Sequence, residues 1–290
     1  LSLPTLKDGV SRTRLMSILE TAMQPDILDK AWNLLKTEHT PWSVTVNREQ
    51  LQRNLMRYLL ACREDVLSGR YQPEPLRQFT MPKPDGKQRV ISAQYLKDKL
   101  VQCALLIVLE PNAEAVFHHD SYAYRRGRNV KMALDKTRER IRIGQYWLVD
   151  ADISKFFDNI PLTPLQKKLK SFIKDGDAMA LIDKWLKQGV HSSSLFGTSR
   201  GISQGAILSP LFCNLYMHEF DQALSNAHIP FVRFADDFLL FATEKEKAEK
   251  ALAFAGKKLA QMGLELHPNK TRVVRSSRKV IFLGETLPDT

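Results

Sequence analysis

Apolar residues in the first 75 positions recur at helical spacing. From Leu51 to Cys62 they fall on one face of a helix. Asn47 and Gln50, ahead of this stretch, form the pattern of a capping box, and Gly69 stands where a helix commonly ends. Residues 1–75 are therefore predicted to form a helical extension at the N-terminal end of the chain.

The next 70 or so positions have the pattern of a hairpin followed by two helices. Pro84-Asp85-Gly86 lies between two short apolar runs, which is typical of a β-hairpin. Pro111 is expected to end the first helix, because proline lacks the N–H that a helix interior needs. The predicted elements are strands over 77–82 and 87–92 and helices over 95–109 and 129–143.

From residue 146 onward, short apolar runs alternate with amphipathic stretches. The order is strand, helix, strand, strand, helix, strand, which predicts the split βαβ sheet of a ferredoxin-like domain and an α+β fold class. Many functions occur on this arrangement, so the order alone names none of them. The predicted strands cover 146–151, 231–235, 238–242, 271–275 and 280–283, and the predicted helices cover 164–174, 177–188, 208–224 and 244–262.

The composition indicates a basic globular protein. Of 290 residues, 43% are hydrophobic, and 43 Lys+Arg against 32 Asp+Glu leave a formal charge of +11. This charge favours a polyanionic partner such as nucleic acid, although an ordinary basic enzyme stays open. The longest mostly apolar stretch, 100–109, is about half the roughly 20 residues that cross a bilayer. Together with three scattered cysteines, this predicts a cytoplasmic protein without a membrane span.

The most informative polar residues are two adjacent carboxylates, Asp236 and Asp237, within an apolar run. Buried carboxylates need water, cations or metal, and a polar hairpin turn is the alternative explanation. Asp152 ends the first strand of the predicted sheet, where by itself it would suit a helix cap. In the split βαβ order this strand neighbours the Asp-Asp hairpin, so the carboxylates can meet. Such a cluster suits Mg²⁺ and nucleotidyl transfer.

Ordered blocks over about residues 70–285 resemble those of the reverse transcriptases, particularly the bacterial group II intron-like branch. Three positions depart from the usual family pattern: Ala123 replaces Gly, Ser203 replaces Pro and Phe234 replaces Tyr. None of these changes removes a carboxylate. The matching blocks are Met81–Ile91, Ser121–Arg128, Asp152–Phe157, Arg200–Pro210, Phe234–Asp237, His267–Thr271 and Ile281–Gly284.

The resemblance implies a role for each candidate site residue. The metal ligands would be Asp152, Asp236, Asp237 and the carbonyl of Ile153, and Lys270 would assist the departing pyrophosphate. Phe157 would clash with a 2′-hydroxyl and thereby favour deoxynucleotides. The other nucleotide contacts would be Arg89, Lys83, Lys87, Gln204 and Gly205, and the template–primer contacts would be Arg125, Arg128 and Gly284. For Lys83 and Lys87 a solvated hairpin remains the alternative.

The resemblance also implies the fold and partners of a right-hand polymerase. Its fingers would be residues 76–145, its palm 146–160 and 201–290, with an insertion at 161–200 and no thumb within the chain. The first residue is Leu1 rather than Met, which suggests one domain of a larger protein linked to a thumb, integrase or maturase region. The expected cofactors are two Mg²⁺ ions, for which Mn²⁺ can substitute. The expected partners are an RNA template, a DNA or RNA primer and deoxynucleoside triphosphates.

Several alternatives stay open or are disfavoured on particular residues. Ala235 and Phe157 argue against an RNA-dependent RNA polymerase, whereas an RNA-binding splicing cofactor of the maturase type remains the second hypothesis. Group II intron mobility and CRISPR spacer acquisition from RNA are equally compatible with these motifs. The four tryptophans are predicted to pack in the core or at hinges. His118 and His119 are interpreted as loop residues without metal-ligand partners at a useful spacing.

Overall fold

The computed structural model describes residues 15–82, 88–188 and 199–290 as an α+β structure. In chain order the elements are α1 (Ile18–Ala22), α2 (Pro25–Leu35), α3 (Arg48–Arg53), α4 (Leu55–Leu67), β1 (Arg77–Pro82), β2 (Gln88–Ala93), α5 (Leu96–Val116), α6 (Val130–Arg142), β3 (Trp147–Asp152), α7 (Phe156–Asn159), α8 (Leu162–Ile173), α9 (Gly176–Gln188), α10 (Ser209–Asn226), β4 (Phe231–Phe234), β5 (Asp237–Ala242), α11 (Lys245–Gln261), β6 (Arg272–Arg275), β7 (Ile281–Phe282) and β8 (Glu285–Thr286).

The central sheet has four antiparallel strands in the order β4-β5-β3-β6. This is the split βαβ order that the sequence predicts, with β3 and β5 as the inner strands. Their register sets Asp152, the last residue of β3, opposite Asp237, the first residue of β5. Topology therefore brings together two carboxylates that lie far apart in the chain.

Both faces of the sheet are buried. Val149 and Leu240 pack into the larger core with α10 and α11, whereas Leu148 and Leu239 pack into a second core with α6 and the C-terminal segment. Because both faces are covered, β5 is apolar from Phe238 to Ala242 and β3 is apolar from Trp147 to Val149, and both stretches appear in the sequence as short apolar runs. Among the described residues, no helix has the length and apolar character needed to cross a membrane.

The helices α1 and α2 pack against α5, which lies in the larger core. Both hydrogen bonds of the predicted capping box at Asn47 and Gln50 are present. Trp42 and Trp185 are buried, and Trp32 and Trp147 pack against the core at half-burial. The packing role predicted for the tryptophans is confirmed.

Three local predictions were wrong. The helix that Pro111 was expected to end continues to Val116, because the packing of its last turns, with Ala113 fully buried, offsets the missing hydrogen bond. The single helix expected after Asn47 is interrupted at Asn54, where φ is −136°. The last predicted strand, 280–283, is replaced by a short hairpin, β7–β8, because Leu283 and Gly284 both adopt positive φ and turn the chain back.

Replacing Gly263 by Ala is expected to lower the free energy of unfolding by about 1–3 kcal/mol. Gly263 has φ +73°, and a Cβ there would lie 2.7 Å from Cγ of Pro161. Gly176→Ala is the matched control, because its Cβ would meet nothing within 4 Å. Urea denaturation of both variants checks this, and equal stabilities would contradict the packing at Pro161.

Candidate active site

Three carboxylates meet at one end of the β3–β5 pair. Asp152 and Asp237 are paired in register, and Asp236 lies in the turn that joins β4 to β5. The turn residues are Ala235 and Asp236 rather than the two aspartates, because Asp237 already pairs with Phe234 as the start of β5. Ala235 adopts φ +60°, a left-handed conformation that only a few per cent of non-glycine residues adopt.

The carboxylates repel one another. The pKa of Asp237 is raised to about 7 by loss of hydration and then by the neighbouring carboxylates of Asp236 and Asp152. Because Asp237 is exposed as a whole residue, water still reaches its carboxylate, and repulsion by the neighbouring carboxylates is the more important cause. The repulsion therefore makes it costly for all three carboxylates to be ionised together.

Lys270 supplies one nearby positive charge. Its Nζ donates to Oδ2 of Asp152 at 2.8 Å, and this hydrogen bond raises the pKa of Lys270. The main chain holds the segment in place, because the amide of His267 donates to the carbonyl of Asp152 at 2.8 Å. The structure thus brings the predicted Lys270 to the carboxylates.

The chain just after Asp152 is held by the same segment. Ile153 and Leu266 form an isolated antiparallel bridge whose hydrogen bonds come from Asp152 and Ser154 on either side. In this pattern the carbonyl of Ile153 faces away from Leu266. The use of that carbonyl as a metal ligand stays a prediction.

The two phenylalanines that follow differ in burial. Phe156 is buried in the core, as predicted, whereas Phe157 is only half-buried. Their rings pack edge to face with centroids 5.7 Å apart. The ring of Phe157 is therefore supported from behind while part of it remains accessible.

The glycine-containing loop ahead of α10 docks beside Phe157. The amide of Ile202 donates to the carbonyl of Phe157 at 2.9 Å, and Nε2 of Gln204 donates to Oδ1 of Asp158 at 2.9 Å. Gly205 adopts φ +104°, which a residue with a side chain would not readily adopt. The loop that contains Gln204 and Gly205 is thereby bonded to Phe157 and to its neighbour Asp158.

Arg125 and Arg128 occupy different environments. Arg125 is buried, and its guanidinium makes four hydrogen bonds, to Glu114 and to the carbonyls of His118 and Ser121. Arg128 is half-buried, lies over the ring of Tyr122 and donates to the carbonyl of His119 at 3.0 Å. Of the two arginines assigned to phosphate contacts, Arg128 is the more accessible to solvent.

Three of the predicted nucleotide contacts lie outside the described residues. These are Lys83 and Lys87 and the side chain of Arg89. The backbone of Arg89 lies in β2, opposite Met81 of β1. Gly284, predicted to contact the primer, lies in the β7–β8 turn with φ +85°.

Arg233, a fully buried arginine two residues ahead of the acidic turn, is not among the site residues predicted from the sequence. Its guanidinium forms a two-pronged ion pair with Asp221, at 2.7 and 2.6 Å, and also donates to the carbonyl of Ala235. A signal existed in the sequence, because Phe231-Val-Arg-Phe places a charge inside an apolar strand. Its partner on α10 could not be deduced from local spacing.

His118 and His119 were predicted to lack metal-ligand partners, and this was wrong. Potential ligand atoms of these histidines and Asp120 lie within 4.8 Å of one another. However, Arg140 already neutralises Asp120 at 2.6 Å, and Nδ1 of His118 accepts from the amide of Asp120. The neutral ring then carries its proton on Nε2, so a metal would have to displace these bonds.

Replacing Asp237 by Asn is expected to raise the free energy of unfolding of the metal-free protein by about 1 kcal/mol, after allowance for solvent screening. The variant removes one of three mutually repelling carboxylates. Urea denaturation at pH 8 in the presence of EDTA measures the effect. Asp183→Asn serves as the control, because in wild type the Asp183 carboxylate accepts a hydrogen bond from Gln166. An Asp237→Asn protein no more stable than wild type would show that the carboxylates do not repel one another.

Comparison with known proteins gives consistent results. The family model "Reverse transcriptase (RNA-dependent DNA polymerase)" matches residues 81–287. Protein YkfC of Escherichia coli (strain K12) is 30% identical, over 94% of this chain and 83% of its own length. Group II intron-encoded protein LtrA of Lactococcus lactis subsp. cremoris is 36% identical, over 59% of this chain and 28% of its own length.

Solved structures share the fold. A partial Cas6-RT-Cas1--Cas2 complex matches with a TM-score of 0.50 and 23% identity, over 86% of this chain and 43% of that chain. Telomerase from Candida tropicalis, in complex with a fragment of telomeric RNA, matches with a TM-score of 0.54 and 14% identity, over 73% of this chain and 43% of that chain. The chain thus spans less than half the length of LtrA and of these two structures.

Proposed function

Because this chain belongs to the reverse transcriptase (RNA-dependent DNA polymerase) family and is an enzyme of that family, we propose that it extends a primer on an RNA template by Mg²⁺-dependent transfer of deoxynucleotides. The observation that carries this proposal is the meeting of Asp152, Asp236 and Asp237 at one end of the β3–β5 pair. Three crowded carboxylates suit a multivalent cation, which oxygen ligands of this kind bind.

The residues present fit Mg²⁺. Asp152, Asp236, Asp237 and the carbonyl of Ile153 offer only hard oxygen ligands, and the raised pKa of Asp237 indicates uncompensated negative charge. When bound, two Mg²⁺ ions would lower the pKa of the primer 3′-hydroxyl and neutralise charge on the leaving pyrophosphate. Mn²⁺ favours the same donor set.

Lys270 acts as a positive charge beside the reaction centre. Its contact with Asp152 raises its pKa, so Nζ stays protonated at neutral pH. A protonated amine there can stabilise the charge of departing pyrophosphate and donate a proton to it. The hydrogen bond to Asp152 also helps hold that carboxylate in place before substrate binds.

The nucleotide would bind against Phe157, Gln204 and Gly205. The half-buried ring of Phe157 would lie beneath the sugar, and its support by Phe156 keeps it from moving aside for a 2′-hydroxyl. Gln204 and the backbone at Gly205 would contact the nucleotide from the other side. Arg89, Lys83 and Lys87 of the hairpin are proposed to meet the triphosphate.

The chain is proposed to contain the fingers, residues 76–145, and the palm, residues 146–160 and 201–290, of a right-hand polymerase, with an insertion at 161–200 and a helical extension at 1–75. Exposed basic side chains on α6 and the segment 270–279, together with Arg128, would follow the template–primer phosphates. Gly284 is proposed to lie near the primer. Arg125, with its guanidinium bonded inside the protein, would shape this surface rather than contact phosphate.

The biological setting is proposed to be group II intron mobility or spacer acquisition in a CRISPR system. The first rests on the similarity to LtrA, a group II intron-encoded protein, and the second on the shared fold with a Cas6-RT-Cas1--Cas2 complex. In either setting a thumb, integrase or maturase region would be linked to or associated with this chain. A maturase-type RNA-binding cofactor is the second candidate function, and the related nuclear intron maturase 2 of Arabidopsis thaliana favours keeping it.

Primer extension tests the proposal. A DNA primer annealed to an RNA template is incubated with the protein, Mg²⁺ and deoxynucleoside triphosphates, and with EDTA as the control. We expect template-directed extension that EDTA abolishes. A folded protein that binds the RNA but does not extend the primer, including in a longer natural chain that contains this one, would favour the RNA-binding cofactor.

A further inference from the structure

Arg233 lies in β4, inside the protein and immediately behind the acidic turn. It is 1% exposed, and each N–H of its guanidinium has an acceptor. Asp221 takes two of these bonds, and single bonds go to Oδ1 of Asn214 at 3.1 Å, Oγ of Ser121 at 2.7 Å and the carbonyl of Ala235 at 2.9 Å. The group therefore joins α10, the segment around Ser121 and the acidic turn.

The main chain of Arg233 ties the same parts together. Its amide donates to the carbonyl of Asp120, and its carbonyl accepts from the amide of Tyr122, both at 2.9 Å. Ser121 and Arg233 form a parallel bridge. The segment that leads to Arg125 and Arg128 is thus fastened directly to the strand that leads to Asp236.

Stability alone does not account for a buried ion pair of this kind. Replacing a buried ion pair by well-packed apolar residues is often neutral or stabilising, because both charges must be taken out of water. An apolar side chain, however, could not donate a hydrogen bond to the carbonyl of Ala235. That carbonyl belongs to a residue at φ +60°, a conformation that persists in a non-glycine residue only when its surroundings hold it.

We propose that Arg233 is a positioning residue that holds Ala235 in the left-handed conformation and thereby aims Asp236 at Asp152. This inference rests on the proposed function, since it concerns how the carboxylates are held for nucleotidyl transfer. Only a planar guanidinium reaches Asp221, Ser121 and the carbonyl of Ala235 together, because its donors point in fixed, diverging directions. A lysine ammonium at this position keeps the charge but cannot meet the same acceptors.

The first test compares Arg233→Lys with wild type in primer extension. Displacement of a reacting group by about 1 Å can cost on the order of 100-fold in rate, so we expect kcat to fall about 10- to 100-fold. The KM for the deoxynucleotide should change less than about 3-fold, because the nucleotide contacts are untouched. The Mg²⁺ concentration needed for half-maximal stabilisation against heat, measured without substrate, should rise about 5-fold or more.

Asp98→Ala is the matched control. Asp98 is another buried, fully bonded charge, and its partners Tyr71, Glu74 and Trp185 do not contact the acidic turn. The Asp98→Ala protein should be less stable than wild type but keep the kcat and the Mg²⁺ requirement of wild type. If Arg233→Lys lost activity only in proportion to its stability, as Asp98→Ala would, Arg233 would be a structural residue and the inference would be overturned.

A second variant tests the role at Ala235 directly. Glycine adopts positive φ without support, so Ala235→Gly introduced into Arg233→Lys should restore kcat by about 3-fold or more. A double variant as slow as Arg233→Lys would overturn the inference. The wild-type assay separates the two hypotheses. If the wild-type protein does not extend the primer, the proposed function is contradicted. If wild type is active and Arg233→Lys has the same kcat, only the role of Arg233 is contradicted.

Discussion

Replacing Asp236 by Asn is expected to reduce primer extension on the order of 1000-fold while leaving the protein folded. The amide has nearly the same shape as the carboxylate but no charge, so it would bind Mg²⁺ weakly. Asp152→Asn should have an effect of similar size, because Asp152 lies opposite the acidic turn on the neighbouring strand. Single-turnover extension at saturating deoxynucleotide measures the loss in the chemical step.

Thermal unfolding completes this experiment. Wild type should gain stability on addition of Mg²⁺, and Asp236→Asn should gain much less. Asp183→Asn, on α9, is the control for charge removal and should extend primers at the wild-type rate. Activity of Asp236→Asn within about 10-fold of wild type would contradict the proposed role of the acidic cluster.

Replacing Phe157 by Ala is expected to lower the preference for deoxynucleotides over ribonucleotides by on the order of 10- to 100-fold. The ring is half-buried and packs against Phe156, and the amide of Ile202 donates to the main-chain carbonyl of Phe157. Its removal opens space for a 2′-hydroxyl at the place where the sugar is proposed to lie. The ratio of kcat/KM values for the two nucleotide classes is the measurement.

Two matched variants make the result on sugar selection specific. Phe157→Tyr keeps the ring and should keep the preference. Phe254→Ala removes a part-exposed ring from α11 and should leave the preference unchanged. If Phe157→Ala discriminated as wild type does, the sugar would be selected elsewhere in the chain.

Much of the fold follows from local patterns. The alternation of apolar runs and amphipathic stretches predicts the strands and helices of the sheet to within a few residues, and their order predicts the arrangement β4-β5-β3-β6. Register then requires Asp152 to lie opposite Asp237. The failure at Pro111 arises where packing of the assembled core outweighs the local preference of one residue.

The candidate site divides in the same way. The carboxylates, Lys270 and the loop at Gln204 could be assigned from motifs, since each motif is a short stretch with its own spacing. The motifs do not distinguish Arg125 from Arg128, although Arg125 is buried against Glu114 and Arg128 is only half-buried. Arg233 was overlooked because its partners come from α10, the Ser121 segment and the acidic turn.

The sequence by itself determined the element order, the sheet order and the chemistry available at the acidic end of the sheet. These depend on periodicity and on residue type, which are local properties of the chain. The tertiary structure alone decided which charged groups are withdrawn from water and which partners they then meet. Burial makes an unpaired charge costly, so distant segments must supply its partners, and only the assembled fold shows which segments those are.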